Sequence, residues 1–195
     1  MGKISLYKVI PTQPQLSDML IGTNVTDANL TQNFQLSQIL SLYPQITQKA
    51  NVYSDVNQNA PAINTPTLIT FNNSQFVSSS FLRLPSGGPT YNGFQIGNSG
   101  YYMIQAFVNY SVSAATGEIS VWLKVNSLDI GPAQVKAIQG YGYQPIVMTW
   151  ILNLSAADIL SLVWQVSASS ISLSAISASG SRPAVPSVQI LISQV

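Results

Sequence analysis

The chain has 195 residues, of which 46% are hydrophobic and 7% are charged, and its formal net charge at pH 7 is +1. The high apolar content excludes a disordered chain, and the absence of cysteine excludes a disulfide framework and thiolate chemistry. The charged residues are scattered singly, so no basic stripe indicates a nucleic-acid partner.

Such a chain has few charged residues to keep its surface in solution. Solubility then has to come from amides and hydroxyls, and from surface that is buried in an assembly. An average soluble domain carries more charge than this one. The composition therefore favours a component of a larger particle.

The first residues predict neither a signal peptide nor a lipid anchor. The apolar run after Lys3 ends within a few residues, which is too short for a signal peptide. Leu6 stands where a myristoylation motif needs serine or threonine. The longest apolar stretches, such as IVMTWILNL, have strand length and are too short to span a bilayer, so we expect no membrane partner.

Residues 1–66 are predicted to form an extended arm followed by a linker. The stretch PTQPQLSDMLIGTNVTD mixes short apolar groups with proline, glycine and asparagine, so it cannot easily build a helix or a core of its own. NFQLSQILSLY begins with strand spacing and continues with helical spacing up to Pro44. The following stretch, QKANVYSDVNQNAPAINTPT, is weakly hydrophobic and contains two prolines, which is typical of a linker. We expect at most one short helix in this part.

Residues 67–195 are predicted to form an all-β domain, an antiparallel sandwich or jelly roll. Short apolar segments are separated here by glycine, proline, asparagine and serine clusters about every ten residues. In GYYMIQAFVNYSVS, one face runs from Tyr102 to Tyr110 and the other from Tyr101 to Asn109. EISVWLKVN alternates in the same way and places these residues on one face: Ile119, Val121, Leu123 and Val125.

Aromatic residues occur on both faces of these strands. Tyr101 and Tyr102 fall on opposite faces, as do Trp122 and Val121. If one face packs in the core, the other face needs cover from elsewhere. A few exposed aromatic residues are also ordinary on a monomer, so self-association and plain exposure both stay open.

The order of strands and corners resembles the C1q/TNF-like jelly roll. The segments that carry the resemblance are, in chain order, NSGYYMIQAFVNYS, GEISVWLKVNSLDIG, MTWILNLSAADILSLVWQVSASS and PSVQILISQV. The family has a glycine–aromatic strand start, an asparagine-centred turn, and a leucine-rich corner with small residues and an aspartate before an apolar strand. The resemblance covers residues 67–195 and implies a homotrimer. The corner residues in this chain are Leu152, Leu154, Ala156, Ala157 and Asp158.

The segment PQLSDMLIGTNVTDANLTQNFQLSQIL resembles N-terminal segments of virion proteins from tailed bacteriophages. The resemblance implies that the arm joins the protein to the particle while the jelly roll projects as a trimer. Major capsid subunits at the capsid exterior, or other virion subunits, would be the partners of the arm. Its apolar side chains would fill grooves, and its backbone would extend neighbouring sheets. The residues expected to contact the capsid are Ile4, Leu6, Tyr7, Leu16, Leu20, Ile21, Phe34, Leu36, Ile39 and Leu40.

The residue types exclude most catalytic chemistry. Without histidine, Ser-His-Asp and Cys-His arrangements cannot form. A glycosidase needs two carboxylates that face each other. Asp129 and Asp158 lie near predicted strand ends and could converge, but Asp158 also fits a corner where it caps backbone N–H groups. We expect no enzyme.

Calcium is the ion that the loops would suit best. Asp27 with Asn24 and Asn29, and Asp129 near Asn126, offer oxygen atoms at loop spacing. No EF-hand spacing is present, and Asx turns explain these residues as well. We therefore expect no metal and no other cofactor.

The stretch QGYGYQP places Tyr141 and Tyr143 on either side of Gly142 in a predicted loop. Tyrosines on loops suit contact with carbohydrate or protein. A packed loop or a contact within the trimer is the more ordinary explanation of these tyrosines, and a glycan ligand stays open beside it.

Two functions follow as expectations. The first is a structural component of a phage particle, a trimeric capsid decoration, cement or head-fibre protein whose arm binds major capsid subunits. The second is a tail or head-fibre tip that binds a host surface glycan or receptor.

Overall fold

The computed structural model describes residues 19–24, 30–35, 48–113, 116–139 and 142–195. This described part contains strands, turns and bridges but no helix, so nothing in it has the helical length and apolar character that a membrane crossing requires. The helical turns predicted before Pro44 lie outside the described residues. The chain divides into two compact units, Met1–Gln45 and Ile46–Val195.

In the first unit, the structure describes one antiparallel hairpin. It is formed by β1, Met19–Asn24, and β2, Leu30–Gln35. Leu20 lies opposite Phe34. A two-stranded hairpin by itself is marginally stable in water, so a hairpin of this kind gains stability when it packs on a further surface.

The second unit is an antiparallel β-sandwich, which confirms the predicted all-β class. Every strand pair that the structure describes in it is antiparallel. The strands are β3 Lys49–Ser54, β4 Gln58–Asn59, β5 Thr67–Leu68, β6 Asn73–Val77, β7 Phe81–Leu84, β8 Gly93–Ile96, β9 Gly100–Val112, β10 Thr116–Val125, β11 Leu128–Gln139, β12 Gly142–Leu154, β13 Ile159–Val166, β14 Ile171–Leu173 and β15 Val188–Gln194.

One layer is a seven-stranded sheet organised around β9. One side of β9 pairs with β12 over its whole length. Its other side pairs with β15 along the first part and with β14 at the end. β15 pairs in turn with β3, β3 with β6, and β14 with β4. As a result, β12 has no partner on its outer side among the described strands.

The second layer is a six-stranded sheet with the order β11-β10-β13-β8-β7, and β5 pairs with β13 beside it. The turn between β10 and β11 has Asn126 at φ 49° and Ser127 at φ 72°. Two-residue hairpin turns that match the twist of the strands require positive φ at both residues, and asparagine adopts it readily. The resemblance noted in the sequence implies an asparagine-centred turn, and the turn at Asn126 has this form.

The corner before β13 is tied to that turn by side-chain hydrogen bonds. Asp158 Oδ2 accepts a hydrogen bond from the backbone N–H of Ser155 at 2.8 Å, and Asp158 Oδ1 accepts one from Asn126 Nδ2 at 2.5 Å. Asn126 Oδ1 accepts one from the backbone N–H of Ile159 at 2.8 Å. The predicted role of Asp158 as a cap of backbone N–H groups is confirmed.

The core lies between the two sheets and follows the predicted alternation. On β9 the residues from Tyr102 to Tyr110 that share one face are fully buried, and on β10 the same holds for Ile119, Val121 and Leu123. Fully burying one such apolar side chain stabilises the fold by about 1.5–3 kcal/mol. An aromatic cluster that includes Phe94 of β8 adds packing to the core. The ring centroids of Phe71, Tyr91 and Phe94 lie 5.3–6.0 Å apart.

Two core tyrosines place their hydroxyls against amide side chains. The Tyr102 hydroxyl donates a hydrogen bond to Gln48 Oε1 at 2.8 Å, and the Tyr110 hydroxyl donates one to Gln144 Oε1 at 2.8 Å. Burial raises the pKa of Tyr102 and of Tyr110 above the ordinary tyrosine value. The core therefore holds both phenols in the neutral form.

The sandwich begins earlier in the chain than the predicted boundary at residue 67. The compact unit starts at Ile46, and its strand β3 lies between β15 and β6. Ala50 and Val52 are fully buried on β3. Small and polar residues surround them in the sequence, which gave this stretch the character of a linker. Two strands of the sandwich, β3 and β4, thus lie within residues 48–66, which the sequence predicts to be part of the arm and linker.

The register also defines the two ends of the sandwich. At one end, the root pole, Lys49 of β3 lies opposite Ser193 of β15, and Gly100 of β9 lies opposite Leu154 of β12. At the other end, the far pole, Val112 of β9 pairs with strands on both sides. The turn at residues 167–170 lies at the far pole, where the Ser170 carbonyl accepts a hydrogen bond from Ser113 N at 3.0 Å.

Candidate functional site: an uncharged outer sheet face

The outer side of the seven-stranded sheet exposes an apolar patch. Alternation along β9 and β12 turns one set of residues inward to the core and the other set outward. The outward set includes Tyr101, Val147 and Ile151, which are 59%, 57% and 66% exposed. We call the outward apolar residues the outer apolar face: Tyr101, Met103, Phe107, Val147, Ile151 and Leu191.

The strand register makes this patch continuous. Phe107 lies opposite Val147, and Met103 lies opposite Ile151. Directly opposed residues of an antiparallel pair have Cβ atoms about 4.5–5.5 Å apart, so their side chains contact each other. Leu191 continues the patch on the other side of β9, where it lies opposite Gln105 (Gln105 is half-buried between its neighbours).

The sheet that carries the patch is almost free of charge. Among its strands as the structure describes them, β3, β4, β6, β9, β12, β14 and β15, the only charged residue is Lys49 at the root pole. A typical solvated sheet face places charged residues at its outward positions, because charge keeps the surface in water. An uncharged face with clustered apolar residues is instead characteristic of a surface that is covered by another protein.

A chain of amide side chains borders the patch on the side of β3 and β6. Gln189 Nε2 donates a hydrogen bond to Asn51 Oδ1 at 2.9 Å, and Asn51 Nδ2 donates one to Gln75 Oε1 at 2.9 Å. Asn51 is only 9% exposed, although it lies on the outward side of β3. The hydrogen bonds satisfy its amide, and they hold the three strands in a single register at this border.

A polar cleft of about 300 Å³ opens at the same border. The carboxylate of Asp55 in this cleft accepts hydrogen bonds from Asn72 Nδ2 at 2.6 Å and from Asn73 Nδ2 at 2.7 Å. Asp55 thus has partners on both oxygens, and the described residues contain no group of three or more metal-ligating side chains. The residues that line the cleft are Tyr53, Asp55, Gln75, Ala184, Pro186 and Gln189.

The free edge of β12 contains a proline. Pro145 lies opposite Asn109, whose own backbone N–H donates to the Ser187 carbonyl at 2.8 Å on the other side of β9. Pro145 is therefore at a position that faces away from β9, where its missing N–H removes a donor from the free edge. Proline at this place is a known protection against edge-to-edge pairing of sheets. The chemistry of this layer thus disfavours association through the free edge of β12. The outer face of the sheet is then the surface that remains for association.

The two carboxylates considered for catalysis are held by different partners. Asp129 Oδ1 accepts a hydrogen bond from Trp122 Nε1 at 2.7 Å and lies 3.5 Å from Lys124 Nζ. Asp158 is bound to the Asn126 side chain and the Ser155 backbone. Each carboxylate thus has a structural role of its own. The oxygens of Asn126 and Asp129 that sequence spacing offered to calcium also have these separate partners.

The residues predicted to contact the capsid fall mainly in the undescribed part of the arm. For Leu20 and Ile21 on β1 and for Phe34 on β2, the structure describes the backbone pairing. Tyr143 lies on β12 opposite Ser111 and is 59% exposed, so it belongs to a strand where the sequence predicted a loop. The predicted site residues that lie outside the described part are Ile4, Leu6, Tyr7, Leu16, Leu36, Ile39, Leu40 and Tyr141.

Sequence reasoning found part of the outer apolar face and missed the rest. The opposite faces of Tyr101 and Tyr102 were visible in the alternation. Val147 and Ile151 were missed because IVMTWILNL is apolar at nearly every position. Such a run on an edge strand signals that both faces are covered, one by the core and one by another surface. The amide border was hidden because Asn51 and Gln189 are 138 residues apart in the chain.

Comparison with known proteins assigns no family. No family model matches the chain, and no curated protein matches it either. Function is therefore inferred from the residues and geometry of the chain itself.

Proposed function

We propose that this protein is a structural component of a tailed-bacteriophage particle. It is a trimeric capsid decoration, cement or head-fibre protein at the capsid exterior, and its arm binds major capsid subunits. The observation that carries the proposal is the outer apolar face, an exposed apolar patch on a sheet whose only charged strand residue is Lys49. Such a surface is suited to an assembly and poorly suited to a free monomer.

The strand order supports the trimer. The sequences β6-β3-β15-β9-β12 and β7-β8-β13-β10-β11 in the two layers agree with the resemblance to the C1q/TNF-like jelly roll, whose members associate as homotrimers. In such a trimer each copy covers its outer apolar face with neighbouring copies. The free edge at Pro145 disfavours the competing mode, in which copies pair by strand addition.

The arm supports the attachment to a particle. Its hairpin belongs to a compact unit distinct from the sandwich, and it resembles segments that join phage proteins to the virion. A hairpin is marginally stable alone, so capsid grooves that receive its apolar residues would stabilise it. Three arms in one trimer make the attachment multivalent, so that individually weak contacts sum to strong retention.

The decisive experiment removes the arm at the boundary that the structure defines. A chain that lacks residues 1–45 should remain folded and trimeric, but should no longer cosediment with phage capsids assembled without this protein. A chain that lacks residues 1–60 also loses β3, with its buried Ala50 and Val52, and should fail to fold. Full-strength capsid binding by the chain without residues 1–45 would show that the arm is not the anchor.

The alternative function is a tail or head-fibre tip that binds a host glycan or receptor. One observation favours it: Tyr143 is 59% exposed and lies near the far pole, at the end of the sandwich opposite Lys49. Copy number in the particle separates the two functions, because capsid decoration requires many copies and a tail or portal site requires few. Binding on a glycan array that Tyr143→Ala abolishes would support the tip, and the absence of such binding would contradict it.

A further inference from the structure

The outer side of the six-stranded sheet carries a second depression, of about 310 Å³, with one tryptophan in it. This volume is at the lower end of the range of small-molecule sites. Trp122 is half-buried there and presents part of its ring outward. The residues that line the depression are Ser120, Trp122, Asp129, Gly131 and Ala133.

The tryptophan ring is fixed in place before any ligand arrives. Its Nε1–H donates a hydrogen bond to Asp129 Oδ1 at 2.7 Å, and Lys124 Nζ lies 3.5 Å from the same oxygen. On the β13 side, Trp122 lies opposite Val163. Val163 points away from the core but is only 2% exposed, so outward side chains cover it. A side chain that is already ordered loses little conformational entropy on binding.

The neighbours of the ring on β11 leave it uncovered. Gly131 has φ +67°, and a Cβ atom added there would meet nothing within 4 Å. Ala133 follows it and is exposed, as are all residues from Gly131 to Ala137. Gly131 and Ala133 line the depression, and neither has a side chain long enough to cover the indole.

The polar groups around the ring define the class of ligand. A flat apolar surface is bordered by the Ser120 hydroxyl, the Asp129 carboxylate and the Lys124 ammonium group. A pyranose sugar matches this arrangement, because it has an apolar C–H face and a rim of hydroxyls that donate and accept hydrogen bonds. A cationic ligand would suit a bare tryptophan, but Lys124 neutralises the carboxylate and repels a cation.

We propose that Trp122 and Asp129 form a binding site for a neutral saccharide, in which the indole stacks on the pyranose ring and the carboxylate accepts its hydroxyls. The site lies on the six-stranded sheet, whereas the outer apolar face lies on the other sheet. The saccharide site is thus separate from the outer apolar face, and it does not depend on the phage function.

The test uses the three tryptophans of the full-length protein, which give three indole N–H signals in a ¹H–¹⁵N NMR spectrum. Trp122→Phe identifies the Trp122 signal. Lactose, maltose, cellobiose and N,N′-diacetylchitobiose are then added in turn, each up to about ten millimolar, so that dissociation constants in the millimolar range are detected. At least one sugar should shift the Trp122 signal saturably and leave Trp150 and Trp164 unchanged.

Three further variants and one cationic probe, choline, complete the test. Trp122→Ala and Asp129→Asn should each weaken binding of the active sugar at least tenfold, measured by calorimetry, with the Trp150 and Trp164 signals unchanged as proof of folding. Leu128→Ala, at the exposed hairpin tip beside the site, should bind like the wild type. The proposal is overturned if no sugar shifts the Trp122 signal, if Trp122→Ala binds normally, or if choline shifts that signal and the sugars do not.

Discussion

Replacing Ile151 by lysine should dissociate the proposed trimer and leave the fold of the chain intact. Ile151 is 66% exposed on the edge strand β12, where it lies opposite Met103 and forms part of the outer apolar face. Within one chain a lysine at this position can extend into water, and surface substitutions of this kind change stability by about 0.5 kcal/mol or less. Between chains, the same lysine would place a charge in an apolar contact.

The expected size of the effect follows from the exposed fraction. Full burial of an isoleucine stabilises by about 1.5–3 kcal/mol, so covering the 66% of Ile151 that is exposed contributes about 1–2 kcal/mol per chain. Three chains sum to about 3–6 kcal/mol, which corresponds to roughly 10²- to 10⁴-fold in the trimer formation constant. Desolvation of the new ammonium group adds to this loss.

Sedimentation equilibrium of the full-length protein measures the effect directly. The wild type should sediment with three times the chain mass of 20.9 kDa, and Ile151→Lys should sediment as a monomer with an unchanged circular dichroism spectrum. The matched control is Leu128→Lys, because Leu128 is 71% exposed on the other sheet and should leave the trimer intact. A wild type that is monomeric, or an Ile151→Lys trimer of normal affinity, would refute the assignment of the interface.

Three further substitutions test separate parts of the sandwich. Pro145→Val should restore a donor on the free edge of β12 and increase aggregation in light scattering, with little change in the free energy of unfolding. Asp158→Ala should lose the bonds to Asn126 and to the corner backbone, and lower the free energy of unfolding in urea by about 1–2 kcal/mol. Burial raises the native pKa of Tyr110 above the ordinary value of 10.0. The free energy of unfolding should therefore be at its full value below pH 10.0 and should fall as the pH rises through the native pKa. In Tyr110→Phe, the free energy of unfolding should fall less steeply over the same range.

Each of these expectations has an outcome that contradicts it. Equal light scattering by Pro145→Val and wild type would mean that the edge is protected by something else. An unchanged urea midpoint for Asp158→Ala would mean that solvent replaces both bonds at no cost. If Tyr110→Phe lost stability at alkaline pH as steeply as the wild type, the other buried tyrosines would account for the whole dependence.

The parts of the fold that local chemistry controls were predictable. The alternation of β9 sorted Tyr102 from Tyr101, and the structure buries the first and exposes the second. The Asn126 turn and the Asp158 corner were predictable because each depends on a short stretch with its own hydrogen bonds. In these cases the residues that decide the conformation lie close together in the chain.

The features that depend on pairing between segments far apart in the sequence were not predictable. β3 was assigned to a linker because its apolar residues are few, and only its place between β15 and β6 makes Val52 a core residue. The bond from Trp122 to Asp129 was equally hidden, since sequence spacing offered that carboxylate to catalysis or calcium. Sequence spacing alone does not specify which strands become neighbours, and such neighbours determine the partner of each polar side chain.

The polarity of the sandwich offers a use in peptide display. Lys49 of β3 and Ser193 of β15 lie opposite each other at one end of the sandwich, so the sandwich begins and finishes at the same end. The turn at residues 167–170 is at the opposite end. A foreign epitope spliced into that turn would be presented at the end of the sandwich that carries neither the start of β3 nor the end of β15.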